Sequence, residues 1–486
     1  MKRQRSHSAL QSLLATFAAV GLVACASTGA VSPDAEATAH AEDSPSRGAD
    51  DPYGSTYRAP STAAVLIENA VILTGTGERH DGASLLLADG EVAAVAGAGE
   101  TLEAPSGVRR VDAAGRWVTP GIIDVHSHLG VYPSPGLNST QDGNEVTNPV
   151  TAQVYAEHSV WTQDPGFPRA LAGGVTSLTL LPGSANLIGG RGVTVKNVPA
   201  RTVREMKFPG APYTLKMACG ENPKRVYGNR QRFPSTRMGN FAGYRAAWID
   251  AAEYRRKHEE YRKKKAAGDE QGDKSPPPRD LSLETLAGVL DGEILVQMHC
   301  YRAEEMAWVM DLAEEFGYRV SAFHHAVEAY KIADLLARED VCAAMWADWW
   351  GFKLEAFDGI RENIALVEKA GACAIVHSDS ERGIQRLNQE AAKAMAAGNR
   401  MGMDLGPEDA IRWITSNPAR AVGIADRTGS LEVGKAADVV LWSGDPFSVY
   451  SRAERVWIDG VPRYDRRDPA LQPLTDFELG LTEAGP

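Results

Sequence analysis

Between residues 64 and 95 the chain alternates apolar and polar positions in short runs, 64–73 and 83–95, punctuated by turn pairs such as Asp89-Gly90 and later Ala114-Gly115. Side chains two apart share a face of a strand, so this period predicts half-buried β-structure. The same texture returns at 429–442 and 455–461. Between these flanks it gives way to near-continuous apolar runs separated by helical stretches: 118–125, 175–181, 192–196, 213–217, 294–298, 320–323, 341–345 and 373–376. Strands apolar on both faces, each followed by a helix, predict an α/β domain closed into a parallel (β/α)8 TIM barrel in preference to an open sheet. The run at 192–196 is the weakest of the set. The two β-rich flanks predict one small β-sandwich built from both ends.

The domain boundaries follow from these textures. Residues 1–24 combine Lys2, Arg3 and Arg5 with an uncharged, mostly apolar run to Val23, the pattern of a signal peptide and shorter than the roughly 20 residues of a membrane span. That run closes on Leu22-Val23-Ala24-Cys25, which resembles a bacterial lipobox and implies lipidation of Cys25. The resemblance implies export and a lipid anchor in the cell envelope, on the periplasmic side of the outer membrane in preference to the inner membrane. Residues 25–60 are rich in Ala, Ser, Pro, Asp and Glu without apolar periodicity, a composition suited to a disordered tether. The sandwich halves are expected at 61–117 and 426–465, the barrel at 118–425, and a tail at 466–486. A charged insertion, 227–280, reads as a surface helix followed by a mobile loop.

Charge narrows the partners. The net charge is −12, and losing the three signal cations makes it more acidic. Such a surface excludes nucleic acid as an expected partner and leaves a small-molecule substrate and the membrane anchor. Homo-oligomerisation stays open. The cysteines besides Cys25 are Cys219, Cys300, Cys342 and Cys373. All fall in or beside barrel strands, where disulfides and buried thiols are equally compatible with export.

The candidate chemistry sits at the strand ends. His126 and His128 stand at i and i+2, so both imidazoles leave one face of the first barrel strand, ready to ligate a divalent metal. Later strands end in His299, in His324-His325, and in His377-Ser-Asp379. Each histidine alone reads as an ordinary polar residue. Together, at the carboxyl ends of one barrel, they converge on a common centre. Neighbours on a strand face opposite ways, so only one of His324 and His325 is expected to face it.

Several motifs resemble the amidohydrolase superfamily of metal-dependent hydrolases across residues 64–463. They are Pro120-Gly-x-x-Asp124-x-His126-x-His128, Gly174-Val-Thr176, Asn417-Pro418-Ala419 and Gly429-Ser-x-x-x-Gly434-Lys-x-Ala-Asp438. The run His325-Ala-Val-Glu-Ala-Tyr330 is similar to the imidazolonepropionase-like and dipeptidase-like branches. The resemblance implies His126, His128, His299, His325 and Asp379 as metal ligands, with zinc the first choice, as one or two ions. His324 is left to packing or support. A bridging ligand would come from Lys216, carboxylated by carbon dioxide, or from Glu221, the favoured of the two; a single-ion site needs neither. Asp379 would act as general base on an activated water in the hydrolysis of an amide, peptide-like or cyclic-amide C–N bond. His377 is a candidate for contact with substrate or oxyanion, or for packing. Two alternatives stand: a heterocycle deaminase using the same centre, and a non-catalytic ligand-binding lipoprotein. Among weaker candidates, Trp346, Asp348, Trp349 and Trp350 would wall a substrate pocket. Tyr227, Arg230 and Arg232 would bind a substrate carboxylate or simply be solvated.

Overall fold

The protein is described by a computed structural model covering residues 51–268 and 275–472. The expected signal, Cys25 and most of the tether lie outside the described residues, as do 269–274 of the insertion loop and 473–486 of the tail. No helix among the described residues is long and apolar enough to cross a membrane.

Two sheets organise the chain. Strands β1 (Val65–Leu73), β2 (Arg79–Ala88), β3 (Glu91–Ala96), β4 (Arg109–Asp112) and β5 (Trp117–Pro120) come before the barrel. The barrel strands are β6 (Ile122–Ser127), β7 (Val175–Leu180), β8 (Ile188–Lys196), β9 (Thr214–Ala218), β10 (Leu295–His299), β11 (Val320–His324), β12 (Cys342–Met345) and β13 (Ala374–Val376). After it come β14 (Val439–Trp442), β15 (Ala453–Ile458) and β16 (Val461–Asp465). The flanking strands pair in the order β16-β15-β14-β5-β1-β2-β3, with β4 also on β1. The two ends of the chain meet where β14 runs antiparallel to β5, Val440 opposite Thr119. Val65, Ile67, Leu85 and Val92 from the first flank share a core with Val439, Leu441 and Trp457 from the second.

The apolar run expected as one strand over 118–125 is cut at Gly121. Its first part is β5 of the flanking sheet and its second is β6 of the barrel. A Cβ at Gly121 would overlap the Thr176 side chain, so glycine lets the chain pass from one sheet to the other against β7.

The barrel sheet runs in sequence order from β6 to β13 and is nearly closed. It is not uniformly parallel. β8 lies antiparallel to both β7 and β9, which corrects the all-parallel expectation. The physical reason is length: only residues 181–187 join β7 to β8, whereas a parallel crossover needs about a dozen residues or more. The result is a hairpin whose turn sits at the carboxyl end of β7, on the same face as the strand-end histidines.

Closure between β6 and β13 is made by side chains and loop backbone. Asp124 is fully buried. Its Oδ1 accepts from the backbone N–H of His126 at 3.1 Å and of Ser378 at 3.2 Å, and its Oδ2 accepts from the Ser378 hydroxyl. The Asp379 N–H donates to the His126 carbonyl at 3.0 Å.

The insertion is less peripheral than its charge suggested. Thr236 caps the helix Arg237–Ala266 by accepting from the Gly239 N–H at 3.0 Å. Tyr244, Ala247, Trp248 and Ala251 are buried at helical spacing in its first half, and the charged run from Glu253 forms the exposed second half. The four cysteines among the described residues are disulfide-bonded, Cys219 to Cys300 and Cys342 to Cys373. Each bond links neighbouring strands of the barrel.

Candidate metal centre

The strand ends bring His126, His128 and Asp379 together, their ligand atoms all within 4.8 Å of one another. His126 Nε2 lies 3.3 Å from His128 Nε2 and 3.6 Å from Asp379 Oδ1; His128 Nε2 lies 3.2 Å from that oxygen. Lys216, fully buried on β9, places Nζ 3.3 Å from His126 Nε2. A tetrahedral ion with bonds of ~2.0–2.1 Å sets its ligands about 3.3 Å apart. The residues present therefore fit a zinc-sized ion. His325 Nε2 stands 3.6 Å from Asp379 Oδ2. His299 approaches from β10 with its ring 4.9 Å from that of His325, and its Nδ1 is buried without a partner.

Hydrogen bonds settle which nitrogens face inward. The Nδ1–H of His128 donates to the Leu181 carbonyl at 2.8 Å, which leaves Nε2 as a lone pair. For His126 the same end is reached through a relay. Gln297 Nε2 donates to the Ala421 carbonyl at 2.9 Å, so its Oε1 accepts from His324 Nε2–H at 2.6 Å. His324 Nδ1 then accepts from His126 Nδ1–H at 2.8 Å, and His126 Nε2 is left free to ligate. His126, His324 and His377 also form a compact group. That trio is wholly buried, while His128 and Asp379 line an open cavity.

His325 turns its Nε2 towards Asp379, while His324 stands behind His126 on its Nδ1. β11 ends at His324, and His325 adopts a left-handed φ of 57°. That turn brings both rings against His126, at centroid distances of 4.7 and 4.5 Å. Asp379 is left-handed too, with φ 49°. Strained backbone of this kind persists only where the surroundings hold it, and it gathers at functional sites.

Burial dominates the electrostatics. Desolvation pushes His126, His299, His324 and His325 well below the usual imidazole range and His377 down to about 4. It pulls Lys216 down to about 7. For Asp379 burial pushes up, but the His128 hydrogen bond and the charges of His128, Lys216 and His377 outweigh it and hold the carboxyl low. Burial thus favours neutral rings at His126, His299 and His325, and the Asp379 carboxyl stays ionised, the protonation a metal ligand needs.

The cavity above the centre holds about 520 Å³, with His128, His299 and Asp379 at its floor and Tyr132, Glu221, Arg225, Tyr301, Phe352 and Lys353 among its walls. Glu221 faces Lys353 at 3.6 Å. His377 is buried behind His325, with Nε2 2.7 Å from His325 Nδ1. Trp346 stacks on His325 at 4.4 Å, and Trp349 stacks on Trp346. Tyr227 and Arg230 stand outside the cavity lining. Tyr227 donates to the Asn148 carbonyl at 2.7 Å, Arg230 to Val146 at 2.5 Å, and Arg232 to Thr147. These side chains pin the loop around residue 147 to the helix Glu221–Gly228. Sequence reasoning missed Gln297, Arg225 and Lys353, and named Asp124 within a motif without giving it a role. Only Asp124 had a local signal, its place two residues before His126.

A profile of the amidohydrolase family matches residues 320–464. The crystal structure of an amidohydrolase from Thermotoga maritima MSB8 shares 37% identity, covering 83% of this chain and 100% of that one, with a TM-score of 0.74. The chain belongs to the amidohydrolase family. Amidohydrolase tasK of Hapsidospora irregularis is 33% identical over 383 residues, 76% of this chain. This amidohydrolase spans only 38% of that protein's length. Imidazolonepropionase of Mesorhizobium japonicum is 24% identical over 373 residues, 69% of this chain and 80% of its own.

Proposed function

We propose that this amidohydrolase hydrolyses a carbon–nitrogen bond of a small amide, peptide-like or cyclic-amide substrate at a centre holding a divalent ion, zinc by preference. The observation that carries this reading is the convergence of His126 Nε2, His128 Nε2 and Asp379 Oδ1 within 3.2–3.6 Å of one another beneath an accessible cavity, with Lys216 Nζ 3.3 Å from His126 Nε2. His126, His128 and Asp379 would hold the ion, with His325 beside the second carboxylate oxygen and His299 next to His325. Lys216 is preferred to Glu221 as the further ligand, because it lies within the cluster while Glu221 is engaged by Lys353 at the rim. Its amine, drawn down to about 7 by burial, is available as the free base that carboxylation requires.

A divalent ion supplies a water acidified to a pKa of roughly 7 and polarisation of the scissile carbonyl. The chain's own residues do the rest. Asp379, kept ionised and 27% exposed towards the cavity, accepts the proton of the attacking water. It returns that proton to the leaving nitrogen as the C–N bond breaks. His324 and Gln297 hold His126 in one tautomer, and the Leu181 carbonyl does the same for His128. His377 and Trp346 fix the ring of His325 from behind. Export with a lipid anchor at Cys25 belongs to the same proposal, supported by the two disulfides, which form and persist in oxidising compartments.

The test is metal analysis together with turnover. The purified chain should carry one or two equivalents of zinc or a similar ion and hydrolyse members of an amide and cyclic-amide panel. His126→Ala should lose both metal and activity. Asp379→Asn should keep most of the metal while turnover falls by about 10²–10⁴. A metal-free chain that gains nothing from added metal would refute the reading.

A further inference from the structure

Two cations, Arg225 and Lys353, stand on the wall of the catalytic cavity beside a single carboxylate, Glu221. Lys353 Nζ donates to Asn222 Oδ1 at 3.1 Å and lies 4.1 Å above the Tyr301 ring. Its carboxylate neighbour, Glu221, is 3.6 Å away, and only 17% of the lysine side chain is exposed. An ammonium carries three donors, so this one retains capacity towards the cavity. Arg225, on the same wall, has no carboxylate partner among the described residues. Burial lowers Lys353; the Glu221 and Glu355 charges oppose that shift, and the nearby Arg225 charge adds to it.

The space beyond continues this character. A second chamber of about 550 Å³ shares Glu221 and Arg225 with the catalytic cavity. There Arg237 is taken by Glu305 and Glu355, and Arg302 by Glu304. Lys224 lines that chamber without a carboxylate partner among the described residues. Room and uncompensated positive charge therefore extend together, away from the reacting floor.

We infer that Arg225 and Lys353 form a clamp for a carboxylate on the substrate, so that this site selects anionic amides such as N-acylated amino acids or peptides with a free carboxyl end. The inference rests on the hydrolytic reading above and narrows its substrate class. A carboxylate seated there receives the planar fork of Arg225 and the ammonium of Lys353 as charge-assisted hydrogen bonds. A neutral amide of the same shape leaves Arg225 without a counter-charge and Lys353 with Glu221 alone. Phe352 and Tyr301, which line the same cavity, supply apolar surface for the substrate's side chain.

Binding can be measured without turnover on the Asp379→Asn protein. Calorimetric titration would compare N-acetyl-phenylalanine with its carboxamide at equal ionic strength. The acid is expected to bind about tenfold tighter or more, the size of one hydrogen bond to a charged group. Arg225→Gln and Lys353→Met should each reduce that ratio, and the double variant should bring it near unity. Lys353→Arg, which keeps the charge, should restore much of it and shows that loss in Lys353→Met is not unfolding. Equal binding of acid and carboxamide, binding of neither at millimolar concentration, or a ratio unchanged in the double variant would overturn the clamp. Failure of the hydrolytic reading shows separately, as absent metal and absent turnover in the unmodified chain.

Discussion

Asp124 makes a sharp test of how the barrel is closed. Its carboxylate accepts three hydrogen bonds, from the N–H of His126, the N–H of Ser378 and the Ser378 hydroxyl, with no solvent contact. Asp124→Ala strips the acceptor from two buried backbone donors. Each unsatisfied donor costs roughly 1–3 kcal/mol. The Ser378 hydroxyl keeps the His126 carbonyl at 3.3 Å, so its loss is partial. The expected destabilisation is about 3–5 kcal/mol, a large share of the roughly 5–15 kcal/mol that holds a typical domain. The loss also reaches the site, because the same carboxylate fixes the strand carrying His126 and the turn carrying Asp379. Loss of such a supporting partner typically lowers metal affinity about 10–100-fold. Guanidinium unfolding monitored by circular dichroism, with metal content measured alongside, reads both effects. Ser378→Ala serves as the graded control, with about 1 kcal/mol lost through the missing hydroxyl bond. An Asp124→Ala protein within about 1 kcal/mol of the parent and fully metal-loaded would refute closure by this carboxylate.

Three further outcomes are expected. Gln297→Leu removes the acceptor that sets the His324 tautomer, so His126 loses its enforced orientation; metal affinity should drop about tenfold, measured by competition with a chelator, and unchanged affinity would break the relay. In the metal-stripped protein, His377 is held down at about 4 by burial while the unfolded chain protonates near 6.5. Its contribution to stability is therefore present above pH 6.5 and lost as pH falls towards 4, about 3 kcal/mol in all. His126, His299, His324 and His325 act in the same direction, while Asp124, pushed up to about 7 by burial, opposes them. Comparing unfolding curves of the parent and His377→Gln across that window isolates the histidine, and parallel curves would contradict its burial as a neutral ring. Finally, the denatured, unreduced protein lacking residues 1–25 should show no reactive thiols and four after reduction. Cys219–Cys300 closes a separation of 81 residues, so its removal should cost about 4–5 kcal/mol on the chain-entropy scale.

How far the site was legible depended on how local each cause was. His126 and His128 stand two apart on a strand, and that spacing alone puts both rings on one face. His299 and Asp379 announce themselves as polar ends of apolar runs. The partner of His324 was not local: Gln297, on the neighbouring strand, sets its tautomer, and no spacing rule reports that. Tyr227 and Arg230 resembled a carboxylate-binding pair because they follow a barrel strand. Their donors are instead taken by carbonyls near residue 147, from a segment some 80 positions away. Arg225, two residues before Tyr227 on the same helix, lines the cavity.

The fold divides along the same line. Apolar runs and their spacing determined the number and order of barrel strands, the helices between most of them, and the existence of two β-rich flanks, because burial and period act within a few residues. The short connection at 181–187 held the antiparallel sense of β8 in plain view, since too few residues remain for a crossover. What only the tertiary structure decided are relations between distant segments. They include the pairing of β14 with β5, the break at Gly121 against Thr176, the partners of four cysteines and the closure of the barrel by Asp124. They also include the placement of Lys216 beside His126 and of Glu221 beside Lys353. Each depends on which surfaces meet after the chain has folded over hundreds of residues, and no local pattern of apolar and polar positions carries that information.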